Sequence, residues 1–215
     1  MEKNSEKLTT KDIRDLVIQS GLQAIPYVGS AIASAYYGSV QERRFKRIEN
    51  YYNEIAEEIK SLGGKVANIE SHDKDALVAI IEEINEYVEK EQVKDKQRFL
   101  KNYFKNTLIN PIKISNFDQR KVFLDTLAGM SILECELIAF LYSQTDSVTV
   151  GSINRASTDK YAIAGAIGKL KSYGFVSAFT TSFSIGDNQD NSLKEKVKIS
   201  EYGKSFYKFC LTLDV

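Results

Sequence analysis

LVIQSGLQAIPYVGSAIASAYYGSVQ, residues 16–41, holds no charged side chain, in a chain of which 27% of the residues are Asp, Glu, Lys or Arg. It is followed at once by ERRFKRIENYYNEIAEEI (Glu42–Ile59), an amphipathic stretch that turns from basic to acidic. Such a run is either the buried centre of a helical hairpin or a segment that meets a membrane. Gln19, Gln23, Pro26 and several Ser and Gly keep it below the continuous hydrophobicity of a membrane span.

Working outward, the 215 residues leave room for one large domain or two small ones, and 43% hydrophobic residues supply a core. Formal net charge is zero, so the whole molecule exerts no pull on nucleic acid or acidic lipid. Residues 51–100 lean acidic and residues 151–215 lean basic, as solvated helix faces do. Cys135 and Cys210 both sit in apolar runs and read as small core residues rather than a disulfide. The start MEKNSEKLTTKDIRD lacks the cationic opening of a secretory signal, so a cytoplasmic setting is expected.

Thr9 and Asp12 open a first helix through Ile13, Leu16, Val17 and Leu22, which Pro26 and Gly29 break. A long second helix is predicted from about residue 30 to Leu62, with Phe45, Ile48, Tyr52, Ile55 and Ile59 on one seam and Gly63-Gly64 as its stop. Further helices are predicted over 73–92, with Leu77, Ile81, Ile84 and Val88 inward, over 94–109, ending at Pro111, and over 116–129. The expectation is a mainly α fold: a helical hairpin or bundle over 1–129, then a second domain over 130–215.

That second domain opens with a capping box, Ser131 and Glu134, on the helix ILECELIAFLYS. A short polar connection leads into YAIAGAIGKLKSYGF. The stretch FVSAFTTSFS, the turn-rich tip IGDNQDNS and the returning KEKVKIS form a predicted β-hairpin, and EYGKSFYKFCL closes the chain. Its junctions KLKSYGFVSA and KVKISEYGKSFYKF resemble those of a winged helix-turn-helix, the resemblance covering residues 131–213. In such modules the third helix offers Arg, Asn, Gln or Lys to base edges. Here Ile163, Ile167 and Leu170 are expected inward, leaving Lys160, Tyr161, Ala164, Gly165, Gly168 and Lys171 outward. Ala and Gly donate nothing to a base, and Asp187 and Asp190 at the tip repel phosphate. Lys194, Lys196 and Lys198 beyond the tip argue the other way, and a DNA-binding regulator would use Arg155, Lys160, Lys169 and Lys171 on phosphates.

The uncharged run admits three readings. It is the buried part of a hairpin, in which Ser30, Ser34 and Gly38 make a flat face for close helix approach. Or it enters a bilayer, with Tyr36 and Tyr37 at the interface and Arg43, Arg44, Lys46 and Arg47 at anionic headgroups. Or it is a self-association surface exposed in the monomer.

Four segments, IPYVGSAI (Ile25–Ile32), ERRFKRIENYYNEIAEEI (Glu42–Ile59), FLKNYFKNTLINP (Phe99–Pro111) and FLDTLAGMSILECELIAFLY (Phe123–Tyr142), follow one another in an order that resembles bacterial abortive-infection and phage-defence proteins of the Abi-alpha type. The resemblance implies a small bacterial or prophage-borne protein acting through protein or membrane contacts, and it brings no catalytic motif.

His72, the single histidine, lies in the polar stretch NIESHD and is expected on the surface or beside a helix start. With one His and two distant Cys, neither a metal site nor a nucleophile–base pair has its parts. No phosphate-binding glycine loop occurs. Glu82 and Glu86 at i,i+4 read as an acidic solvent face. The expectation is therefore a non-enzymatic, cofactor-free interaction protein. It forms homo-oligomers or binds a protein partner, with membrane engagement on some trigger. The alternative is a winged-helix transcriptional regulator.

Overall fold

The computed structural model describes residues 47–48, 50–56, 58, 66–179 and 191–212. The uncharged run 16–41 lies outside them, and with it Ser30, Ser34, Tyr36, Tyr37 and Gly38. So do Arg43, Arg44 and Lys46, the Thr9–Asp12 box and the tip residues Asp187 and Asp190. The described residues are mainly helical, with a small antiparallel sheet in the C-terminal part. The chain divides into two compact units, residues 1–125 and 126–215, and the division falls within the helix Ile114–Gly129.

In the first unit α1 is Lys74–Lys90, α2 is Lys94–Ile109 and α3 begins at Ile114. Asp73 caps α1 by accepting from the Ala76 N–H at 3.0 Å, which satisfies one of the donors that a helix start leaves unpaired. Leu77, Ile81, Ile84 and Val88 are buried as their spacing predicts, and Tyr51, Tyr52 and Ile55 of the preceding helical stretch are buried too. The second half of α2 differs from an amphipathic helix. Tyr103 through Leu108 are all buried, Lys105, Asn106 and Thr107 included.

His72 stands beside a helix start, just before the Asp73 cap of α1, but in the interior rather than on the surface: it is 7% exposed. Ile112 is itself fully buried, so its peptide groups need partners away from water. Asp73 donates its N–H to the Ile112 carbonyl at 2.8 Å, and the His72 side chain receives the Ile112 N–H.

The second unit begins with the end of α3 and then α4, Ile132–Ser143. The Ser131–Glu134 capping box forms with both of its bonds, side chain to backbone in each direction. The short polar connection after α4 carries β1 (Val148–Thr149) and one 3-10 turn (Val150–Ser152). The sheet is therefore three-stranded rather than a lone hairpin. The hairpin strands are β2 (Val176–Phe179) and β3 (Lys196–Ile199), in the order β1-β3-β2, all antiparallel. Two hairpin strands alone are marginal in water, and the third strand plus a helix covering one face supplies what they lack.

α5, Lys160–Ser172, lies between β1 and β2 and is capped by the Asp159 carboxylate. Its end is a Schellman motif. Phe175 N–H donates to the Leu170 carbonyl at 3.0 Å and Gly174 N–H to that of Lys171 at 2.9 Å. The motif needs a left-handed residue, and Gly174 supplies it at φ 75°. α6, Glu201–Phe206, continues as a π-helical turn, Tyr207–Leu211. A Cβ on Gly203 would overlap the Phe175 carbonyl, so α6 reaches the turn after α5 because that residue has no side chain. Cys135 and Cys210 are both buried, as their apolar surroundings in the sequence predict.

Candidate interaction surface

α5 buries Ile163, Ala166, Ile167 and Leu170 and turns its other side to solvent. Apolar residues three and four apart lie on one helix face, so the remainder are forced outward. The outward residues are Lys160, Tyr161, Ala162, Gly165, Gly168 and Lys169, as expected for most of them, while Ala164 and Lys171 are half-buried. Tyr161 is 58% exposed, high for an aromatic ring. A Cβ built on Gly165 or Gly168 would meet nothing within 4 Å. The glycines are therefore not there for close packing inside this unit, and each costs helix stability of about 1 kcal/mol relative to Ala.

The four cations expected near phosphate are placed unequally. Arg155 folds back on α4, donating to the Glu136 carbonyl at 3.2 Å with its guanidinium 5.2 Å from the Phe140 ring centroid. Lys169 pairs with Glu134 at 3.2 Å, and Lys171 with Glu195 at 2.5 Å. Lys160 is exposed and, among the described residues, has no ion pair. The acceptors for the other three lie 19 to 35 positions away in the chain and gave no sequence signal.

In the first unit, Arg47, expected at a headgroup, donates its Nε–H to the Glu89 carbonyl at 2.9 Å, near the end of α1. Two lysines of α2 meet Glu58: Lys101 at 3.1 Å, and Lys105 in a closer pair, while Lys101 also meets Glu54 at 2.8 Å. Burial pushes the Glu58 carboxyl up, but hydrogen bonds and charge from Lys105 and Lys101 outweigh it and hold it below its ordinary value. Tyr51 donates to the Leu100 carbonyl at 3.1 Å, and Tyr52 to Asn85. These bonds tie the stretch around Glu54 and Glu58 to α2, and Tyr52 to α1.

Glu82 and Glu86 are exposed, and Glu86 meets Lys90 at 3.8 Å on the same helix. Among the described residues no group of three or more His, Cys, Asp or Glu side chains is placed to hold a metal ion. Nor, among them, is any helix long and apolar enough to cross a membrane. No family model, curated protein or solved structure matches the chain.

Proposed function

We propose that this chain is a non-enzymatic interaction protein that acts by self-association in the cytoplasm. Membrane engagement of residues 16–41 is the triggered form of that activity, in the manner of the abortive-infection proteins its sequence resembles. The observation that carries this reading is the exposed side of α5, a helix that gives up stability to present Gly165 and Gly168 to open space beside Tyr161. The two glycines straddle the middle of α5. An antiparallel pair of α5 helices about a two-fold axis would set each Gly165 against the second copy's Gly168, an isologous contact that closes on itself. The Ser30, Ser34, Gly38 face is the second association surface, and Gly38→Leu tests it. The substitution should lower the mass seen by light scattering; an unchanged mass counts against the surface.

A second reading has its own support. The order helix, short strand, 3-10 turn, helix and hairpin, with sheet order β1-β3-β2, supports a winged-helix reading. We read the second unit so, and a winged helix is often a DNA reader. Against base reading stand the absence of Arg, Asn or Gln on α5 and the internal partners of Arg155, Lys169 and Lys171. A salt-sensitive shift of labelled duplex, removed by Lys160→Glu with Lys171→Glu, would favour the regulator over the association protein.

A further inference from the structure

The three-stranded sheet has an outward face that the α5 argument leaves unused. Register and burial assign it. Val176, Val197 and Ile199 are buried, so their neighbours Ser177, Phe179, Lys196 and Lys198 project to the other side. Phe179 pairs with Lys196, which pairs in turn with Thr149 of β1, and Ser177 pairs with Lys198. Phe179 is 54% exposed. Lys196 and Lys198 take part in no ion pair among the described residues. The nearest acid beyond β3, Glu201, is held by Lys204 at 2.6 Å and feels Lys198 only at longer range. Glu195, just before β3, is engaged by Lys171.

We propose that this sheet face binds single-stranded nucleic acid, Phe179 being the platform for a base and Lys196 and Lys198 the contacts for its phosphates. Two lysines on one face of one strand stand about 7 Å apart, a step that an extended nucleotide chain can follow. The cross-strand Phe179 lies directly opposite the first of them and diagonal to the second, within reach of the base between those phosphates. Aromatic platforms flanked by cations are how sheets hold single strands without reading sequence. A duplex hides the base faces that Phe179 would meet. A bilayer would find one large apolar side chain among Ser177, Thr149 and two lysines, too polar a face to insert. The site is separate from α5 and does not rest on self-association.

Fluorescence anisotropy of a short labelled oligo-dT strand with the full chain tests it, with labelled duplex and anionic phosphatidylserine vesicles as competitors. Saturable binding that weakens with salt is expected, with duplex and vesicles competing poorly. Phe179→Leu should weaken binding by about tenfold and keep its salt dependence, while Phe179→Tyr should retain the affinity. Lys196→Glu with Lys198→Glu should flatten the salt dependence. All three substituted side chains lie on the outward face of the sheet, so melting curves of the variants should match the parent's. No saturable binding at low salt, equal affinity of Phe179→Leu and parent, or tighter binding to duplex or vesicles would overturn the proposal.

Discussion

His72 Nδ1 accepts the backbone N–H of Ile112 at 3.3 Å, tying the start of α1 to the connection between α2 and α3. Burial holds the imidazole below its ordinary 6.5, because the charged form loses water there. Protonation would also set an N–H against the Ile112 N–H. A group whose folded value is lowered contributes stability that is present above the unfolded value and lost as pH falls through the folded one. The parent should therefore lose thermal stability as pH falls below about 6.5, and His72→Gln, which keeps an acceptor but cannot titrate, should be flatter there. Parallel slopes for the two proteins in calorimetry would exclude this role.

The Lys105–Glu58 pair is unequal, the lysine side chain being 8% exposed and the glutamate 37%. Removing the partner of the more buried ion should cost more, because that charge cannot recover water. Glu58→Ala is expected to destabilise by about 3 kcal/mol and Lys105→Met by about 1 kcal/mol in urea unfolding at neutral pH. Lys101, which remains beside Glu58, limits the second loss. The Glu58 carboxyl sits below its ordinary 4.5, so its share of stability is present above that pH and fades as pH drops further.

Glycines of the second unit divide by what a methyl group would meet. Gly203→Ala drives its Cβ into the Phe175 carbonyl and should cost about 3 kcal/mol. Gly165→Ala and Gly168→Ala, with open space beside them, should each stabilise by about 1 kcal/mol. Chemical denaturation of the three variants reads the opposite signs directly. A loss of stability in Gly168→Ala at concentrations where the chain is monomeric would mean that the position serves internal packing.

Ser131→Ala removes one bond of the capping box and leaves the Glu134 side chain without its reciprocal geometry. A loss of about 1 kcal/mol is expected, measured by the same method.

Much of the helical layout was legible in local signals. α2 runs from Lys94 to Ile109 as its periodicity and Pro111 indicate, and the Ser131–Glu134 box opens α4 where the motif stands. Ile163, Ile167 and Leu170 face inward because spacing by three and four leaves them no alternative. What was not legible depends on distant partners. β1 is two residues long, too short for any alternation, and exists because β3 pairs with it. His72 takes its partner from Ile112, 40 positions away. Arg155, Lys169 and Lys171 read as free cations in sequence, since nothing local announces the Glu136 carbonyl, Glu134 or Glu195. Phe179 lay in a recognised strand, and its outward direction needed the register.

The central claim, self-association through α5, is tested most directly by the native mass of the full chain across a concentration series. Multi-angle light scattering would compare the parent with a Gly165→Glu, Gly168→Glu double variant, which has room for both side chains. The account predicts a dimer or larger assembly for the parent and a folded particle of lower mass for the variant. A parent that is monomeric at every concentration, or a variant with the parent's mass, would contradict it.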